Sequence, residues 1–201
     1  MSLRTTLVRK YRRLPCVDSK LRRMFPLPYT KNGIDFRFLS DNDSLEELTA
    51  LINQAYGVYE KDGLEYKGVK QSVADTKQRV RHSYTVVAVA DNRIIGTISY
   101  KPPWECRGSE WFNKPGVAKS NQLAVDPGYQ SRGIGRKLID LVELFAILQG
   151  AKEIASDHAE EAVDYIEWKK KQGYRFIAYH NWSFTNYRSV ILSKNLDEFN
   201  T

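Results

Sequence analysis

Asn121–Gly150 reads NQLAVDPGYQSRGIGRKLIDLVELFAILQG. Leu123-Ala124-Val125 is a short apolar strand, Asp126-Pro127-Gly128 a turn, and Gln130-Ser131-Arg132-Gly133-Ile134-Gly135 leads straight into a long apolar helix. The first N–H groups of a helix have no acceptor within it, and the aligned peptide dipoles favour negative charge at that end. A strand, a glycine-bearing turn and a helix start in this order therefore build a seat for an anionic phosphate group. Gly133 and Gly135 remove the Cβ atoms that would hold a diphosphate away from the backbone. Arg132, Arg136 and Lys137 add positive charge at the same end.

Two nucleotide motifs are excluded. After Gly128-x4-Gly133 a P-loop requires a lysine and a hydroxyl residue, and Ile134-Gly135 stand there instead. A dinucleotide fingerprint requires a third glycine where Leu138 stands. The run from Leu123-Ala124-Val125-Asp126-Pro127 through Gln130-Ser131-Arg132-Gly133-Ile134-Gly135 resembles the acetyl-CoA-binding motif of the GNAT N-acetyltransferase superfamily. The order of elements from Ile34 to Leu196 is similar to this superfamily throughout, and Gly173-Tyr174-Arg175-Phe176 through Lys194 resembles a bacterial-type subgroup.

The resemblance implies an α/β fold with a mixed, mostly antiparallel sheet of six to seven strands, parallel and splayed central strands, and about four helices. It implies acetyl-CoA as co-substrate, no metal, and a small-molecule or protein amine as acceptor. Free backbone groups of Leu123, Ala124 and Val125 would pair with the pantetheine amides as an added strand does. The amides of Gln130, Ser131, Arg132, Gly133, Ile134, Gly135 and Arg136 would take the diphosphate. An N–H near Leu123 or Ala124 would polarise the thioester carbonyl.

The acceptor amine must also lose a proton, since an alkylammonium has a pKa of about 10.4. Glu105 and Glu110 in a long loop, and Asp157 and His158 just past the fifth strand, are the candidates for taking it. Asp157 is the best placed; it reads equally well as a turn or helix-capping acid before Glu160. Many members of the family protonate the departing thiolate from a tyrosine four residues before the glycine that ends the fourth helix. That glycine corresponds to Gly173, and the position holds Lys169. Lys169 remains a candidate acid, as does Tyr165 one helical turn earlier, while Lys169-Lys170-Lys171 also reads as a solvated helix end. If the departure abolishes turnover, an acyl-CoA-binding sensor remains.

The 201 residues allow one domain with a sizeable core, and with 42% apolar and 27% charged residues the composition is that of an ordinary globule. We expect a basic extension over 1–33 and a single domain over 34–201. The extension holds nine basic side chains against Asp18, a charge of +8, so the net +7 leaves −1 for the rest. It reads as a solvated or packing extension, an anionic-surface or nucleic-acid contact, or an Arg-rich targeting peptide. No nucleic-acid or membrane partner is expected for the domain, and a homodimer is compatible with the sequence. Cys16 and Cys106 form no disulfide framework, which favours a cytoplasmic setting.

Prolines and Asn32-Gly33 predict irregular structure over 15–33, and the alternation Ile34-Asp35-Phe36-Arg37-Phe38 a first strand. Ser44 and Glu47 form a capping box for a helix to about Tyr59. Ser72–His82 is a second helix, and Tyr84–Ala90 with Ile94–Tyr100 a hairpin. Residues 101–119 form a long loop carrying Trp104, Trp111 and Phe112. Tyr56, Tyr59, Glu65 and Tyr66 are substrate-side candidates by the resemblance. In the long helix only the line Arg136, Asp140, Glu143 is expected to face solvent. Lys152–Ser156, a helix over 160–172, Tyr174–Tyr179 and Tyr187–Ser193 complete the chain.

Overall fold

The computed structural model describes residues 27–196; the leader up to residue 26, with its three readings, and Cys16 lie outside them. The described residues form one sheet of eight strands: β1 (Tyr29–Lys31), β2 (Ile34–Phe38), β3 (Tyr84–Ala90), β4 (Arg93–Lys101), β5 (Val117–Val125), β6 (Glu153–Ala159), β7 (Arg175–Asn181) and β8 (Arg188–Asn195). Their spatial order is β1-β2-β3-β4-β5-β6-β8-β7. All neighbours are antiparallel except β5 and β6. Four α-helices accompany them: α1 (Leu45–Tyr56), α2 (Val73–Arg81), α3 (Ile134–Leu148) and α4 (Val163–Lys171).

The strand count exceeds the expected six to seven because Tyr29–Lys31, read from the sequence as irregular, pairs with β2 across Asn32-Gly33. Both turn residues have positive φ, 52° and 74°, the conformation a tight hairpin turn requires and that Asn and Gly tolerate. β3 and β4 are buried over almost their whole length. Helices cover both of their faces, so YTVVAVA carries no polar alternation.

α3 packs on one face. Its apolar side chains meet Val86, Ala88, Ile98 and Tyr100, and Phe145 sits edge-on to Phe38, Tyr84 and Tyr100. Gly96 permits the close approach: a Cβ there would lie 3.2 Å from both Ile134 and Leu138. α1 packs on the opposite face through Leu48, Leu51 and Ile52 against Val87, Ile94 and Ala124.

The caps of α1 and α2 differ. Ser44 Oγ accepts from the Glu47 N–H at 3.0 Å, but Glu47 reaches the Ile94 N–H at 3.0 Å instead of closing the expected box. The box closes at α2, where Ser72 and Asp75 exchange both bonds. The predicted loop 101–119 is shorter than expected, because β4 runs through Lys101 and β5 begins at Val117. Phe112 pins this loop from within, fully buried beside Cys106, Val117, Ala155 and Ile191.

Two features of β5 position the site. It pairs with β6 only at Val117↔Glu153, Ala118↔Ile154 and Lys119↔Ala155, although β5 continues to Val125 and β6 to Ala159. The expected splay of the central parallel strands is therefore present, and it opens a cleft beside residues 120–125. The pairing of β5 with β4 also slips by one residue opposite Thr97–Ser99. Gln122 takes φ +54° there, a bulge that bends the strand.

Candidate active site

At one end of the cleft, β5 runs into α3 through a turn tied down by local bonds. Asp126 Oδ1 accepts from the Gly128 N–H at 2.8 Å, and the Asp126 N–H donates to Ile95 at 2.9 Å. Ser131 (φ +61°) and Gly133 (φ +78°) are left-handed. They turn the chain so that the first helical bond runs from the Lys137 N–H to the Gly133 carbonyl, 3.0 Å. The amides of residues 131–136 find no acceptor among the described residues. Such a run of unpaired N–H groups at a helix start forms an anion-binding concavity.

The glycines play different parts. Gly133 is required by its φ, since a Cβ there would meet nothing within 4 Å, whereas a Cβ on Gly135 would meet only Val125 Cγ2 at 3.6 Å. Of the three cations here, Arg136 is neutralised by Asp140 at 2.7 Å. Arg132 lies over the Tyr129 ring, and Lys137 over Tyr29 of β1.

The other end of the cleft is assembled from distant parts of the chain. Asp157 lies inside β6, opposite Ile191 of β8, so it is neither past the strand nor a helix cap. The strand runs longer than Lys152–Ser156 because its outer residues keep pairing with β8 after β5 has left. Asp157 binds Lys119 of β5 at 2.6 Å. Burial raises its pKa, but the Lys119 ammonium more than offsets this and holds the carboxyl below its usual value. The Lys119 ammonium in turn lies over the rings of Phe112 and Trp182, at 4.1 and 5.0 Å.

A tyrosine wall faces this pair. Tyr59 stacks on Tyr66 at 4.5 Å, Tyr66 meets Tyr187 at 4.8 Å and Tyr56 at 5.7 Å. The Tyr66 hydroxyl accepts from the Ala159 N–H at 2.7 Å, holding the wall to the outer end of β6. Asn186 stitches the same region, accepting from the Glu65 N–H and donating to the Gly63 carbonyl. Burial pushes Tyr56 up to about 12 and raises Tyr66 and Tyr187 further. The wall is thus neutral phenol. Tyr56, Tyr59 and Tyr66, predicted to lie together, do so; Glu65 contributes its backbone.

His158, next along β6, bonds Ser156 Oγ at 2.9 Å and packs against the Tyr165 ring at 4.6 Å. Burial lowers its pKa to about 3, so it is a neutral imidazole. Tyr165, with its phenol strongly raised by burial, stands beside the stretch of β6 that has left β5.

Lys169 does not lie on a solvated helix end. It is 1% exposed, its ammonium 3.3 Å over the Tyr174 ring, and burial lowers its pKa to about 7. Glu143 of α3, expected to face solvent, is 7% exposed and binds Lys194 of β8 at 2.6 Å. The Glu143 charge favours the Lys169 ammonium and the Lys194 and Arg136 charges oppose it. Glu105 stands apart, near His82 Nδ1 at 4.0 Å, and makes no ion pair or hydrogen bond with Asp157.

Sequence reading missed Lys119, Arg79 and Gln122. Arg79 of α2 donates to Gln71 Oε1 at 2.9 Å, and Gln122 reaches the same oxygen at 3.3 Å. The one available signal was a pair of polar residues, Asn121-Gln122, inside a strand. Among the described residues there is no cluster of three metal-ligating side chains, and no helix is long and apolar enough to cross a membrane.

Comparison with known proteins bears on this arrangement. The Acetyltransferase (GNAT) family model matches residues 45–181. The chain is 29% identical over 108 residues to S-(2-succino)cysteine N-acetyltransferase of Bacillus subtilis, covering 54% of this chain and 62% of that one. It is 24% identical over 115 residues to S-alkylcysteine N-acetyltransferase of the same organism, covering 54% and 58%. The matches thus span about three fifths of the length of these curated relatives.

Among solved structures, a GNAT-family acetyltransferase from Staphylococcus aureus superposes with TM-score 0.62 at 18% identity, covering 81% of this chain and 99% of that one. A GNAT-family acetyltransferase from Elizabethkingia anophelis with acetyl-CoA bound superposes with TM-score 0.57 at 16% identity, covering 82% and 99%.

Proposed function

The chain belongs to the acetyltransferase (GNAT) family, and from that premise we propose that it transfers an acetyl group from acetyl-CoA to a primary amine. One observation carries the proposal: β5 leaves β6 after Lys119 and ends at the unbonded amides of 131–136. The free side of residues 120–125 accepts the pantetheine as an added strand, and the amides of residues 131–136 take the diphosphate. The Gln130 N–H, expected to join them, donates to the Pro127 carbonyl at 3.4 Å, and its side chain donates to the Val125 carbonyl at 3.2 Å.

The reaction is a direct attack in a ternary complex. The amine nitrogen bonds to the thioester carbon, the carbonyl oxygen takes negative charge, and an N–H near Leu123 or Ala124 stabilises it. The C–S bond then breaks with its electron pair going to sulfur. Asp157, ionised beside Lys119, accepts the ammonium proton directly or through one water. Tyr165 donates to the thiolate, since its phenol stays protonated and it stands by the outer part of β6, and the second proton, leaving the acetylated nitrogen through water, restores the phenol. Lys169, turned to Tyr174, is left with a supporting role. The acceptor is a small molecule, in line with relatives named for N-acetylating S-substituted cysteines, and the buried free thiol of Cys106 suits a cytoplasmic setting.

Calorimetry with acetyl-CoA, followed by thiol release across a panel of amines, tests this reading. Binding with turnover is expected; no binding overturns it. A second reading, a sensor that binds acyl-CoA without turnover, is favoured by the burial of Lys169 away from solvent. Steady release of CoA thiol removes it.

A further inference from the structure

The acceptor end of the cleft holds more cations than it pairs directly. Lys101 of β4 lies opposite Lys119 of β5 in the ladder, and Lys119 takes the carboxylate in direct contact, Asp157. Lys101 is half-buried and forms no ion pair among the described residues. Arg79 is also half-buried, and among the described residues its side chain bonds only to the neutral Gln71 Oε1. Gln71 is itself fixed by Thr76 at 2.8 Å and by Gln122 at 3.3 Å, so Arg79 is held in place by a neutral scaffold.

Arg79, Tyr56, Tyr187 and Asp157 lie within electrostatic reach of one another, and Lys101 feels Lys119 and Arg79, with Glu105 acting the other way. Three cations thus stand about one directly paired carboxylate, Asp157, with Asp75 in electrostatic reach of Arg79 and Glu105 of Lys101 but neither in ion-pair contact with them, beside a wall of four neutral tyrosines. Withdrawing a cation from water is costly unless an anion meets it. A planar guanidinium with free donors matches a carboxylate in two-point contact. The wall supplies aromatic surface for an apolar substituent, and Gly68 keeps it closed: a Cβ there would sit 2.7 Å from the Tyr56 ring.

We propose that the acceptor is an amine that also carries a carboxylate, an amino acid with an apolar side chain. Arg79 and Lys101 hold its carboxylate, Asp157 faces its ammonium, and Tyr56, Tyr59, Tyr66 and Tyr187 enclose its side chain. This assignment rests on the acetyl-transfer reading of the same cleft and names the substrate class that reading leaves open. Arg79 and Lys101 act here as binding residues; the chemical step is the one already described.

The test uses the full chain and a matched pair of acceptors, S-benzyl-L-cysteine and its decarboxylated counterpart S-benzylcysteamine, after acetyl-CoA binding has been measured by calorimetry. The ratio of their kcat/KM values is the readout, because a general loss of folding lowers both and leaves the ratio in place. We expect the amino acid to be favoured about 100-fold, the range of a charged hydrogen-bonded contact. Arg79→Gln lowers that preference about tenfold, chiefly through KM, and adding Lys101→Gln brings it close to one. A native ratio near one, or a ratio unmoved by both substitutions, overturns the proposal. If acetyl-CoA binds but neither acceptor is acetylated, the substrate class is wrong while the cofactor reading stands. If acetyl-CoA does not bind, both fall.

Discussion

The two ends of the cleft are built in opposite ways. The end proposed to hold the cofactor is one continuous stretch: Leu123 to Arg136 supplies a strand edge, a turn and a helix start, and the proposed role needs backbone more than side chains. The end proposed to hold the acceptor draws Lys119 from β5, Asp157 from β6, Arg79 from α2, and tyrosines from residues 56, 59, 66 and 187. Its function lies in side chains brought together only by the sheet. A motif written in adjacent residues survives as a readable pattern. A constellation that depends on tertiary register does not.

Substitutions that strike one end without the other test this division, and one behind the cleft tests what holds the ends together. The largest effect is expected there. Glu143→Ala leaves the buried Lys194 and Lys169 facing one another without the carboxylate, and should cost about 3–5 kcal/mol of folding stability in urea titrations. A loss below about 1 kcal/mol would show that solvent reaches the cluster freely.

Next comes Asp157→Asn. It should lower kcat by about 100-fold, the range of a lost general base, and leave the acetyl-CoA dissociation constant unchanged in calorimetry. Equal damage to cofactor binding would mean the two ends are not separable. Because the Asp157 pKa is lowered on folding, its contribution to stability is present above the unfolded value of about 3.9 and is lost as pH falls through the folded value. It therefore stays ionised at neutral pH, and the rise of kcat/KM with pH there should follow the acceptor amine.

Gly135→Ala strikes the opposite end. A Cβ at this position makes only an ordinary contact with Val125, and alanine is the better helix former. Thermal stability should hold or rise slightly while acetyl-CoA binds about tenfold more weakly, a loss of about 1.4 kcal/mol. Unchanged affinity would show that no ligand approaches that backbone.

The last effect concerns Lys169 and is read as a change of slope with pH. Its pKa is lowered on folding to about 7, so between there and the unfolded value near 10.4 the unfolded chain binds more protons and stability rises with pH. Lys169→Met should flatten that rise between about pH 7 and 10. A slope unchanged by the substitution would assign the rise to other groups.

The same contrast explains what the sequence disclosed. The α3 start is a local matter of glycine and apolar period, and it was legible; the parallel splay was expected only from the family resemblance. Gly150, at φ +75° just past Gln149, closes the helix in the left-handed conformation that glycine favours. Glu143 was misread because a charged residue in line with Arg136 and Asp140 looks solvated until Lys194, 51 residues away, is brought beneath it. Lys169 was misread for the same reason, since three consecutive lysines at a helix end say nothing about which one Tyr174 will cover. Asp157 was placed past the strand because β6 loses one neighbour at that level and keeps the other, a fact that only the pairing with β8 reveals. Tyr29–Lys31 escaped notice because three residues are too few for a period, and the pairing with β2 defines them.

The central claim is that free amides on β5 and at the start of α3 grip acetyl-CoA, and amide hydrogen exchange with and without acetyl-CoA tests it most directly. The account predicts slowed exchange concentrated in residues 120–125 and 131–136, with little change in the antiparallel β2–β3–β4 part of the sheet. Saturating acetyl-CoA that leaves those two segments exchanging at their original rates, or that protects a different face of the molecule, would contradict it.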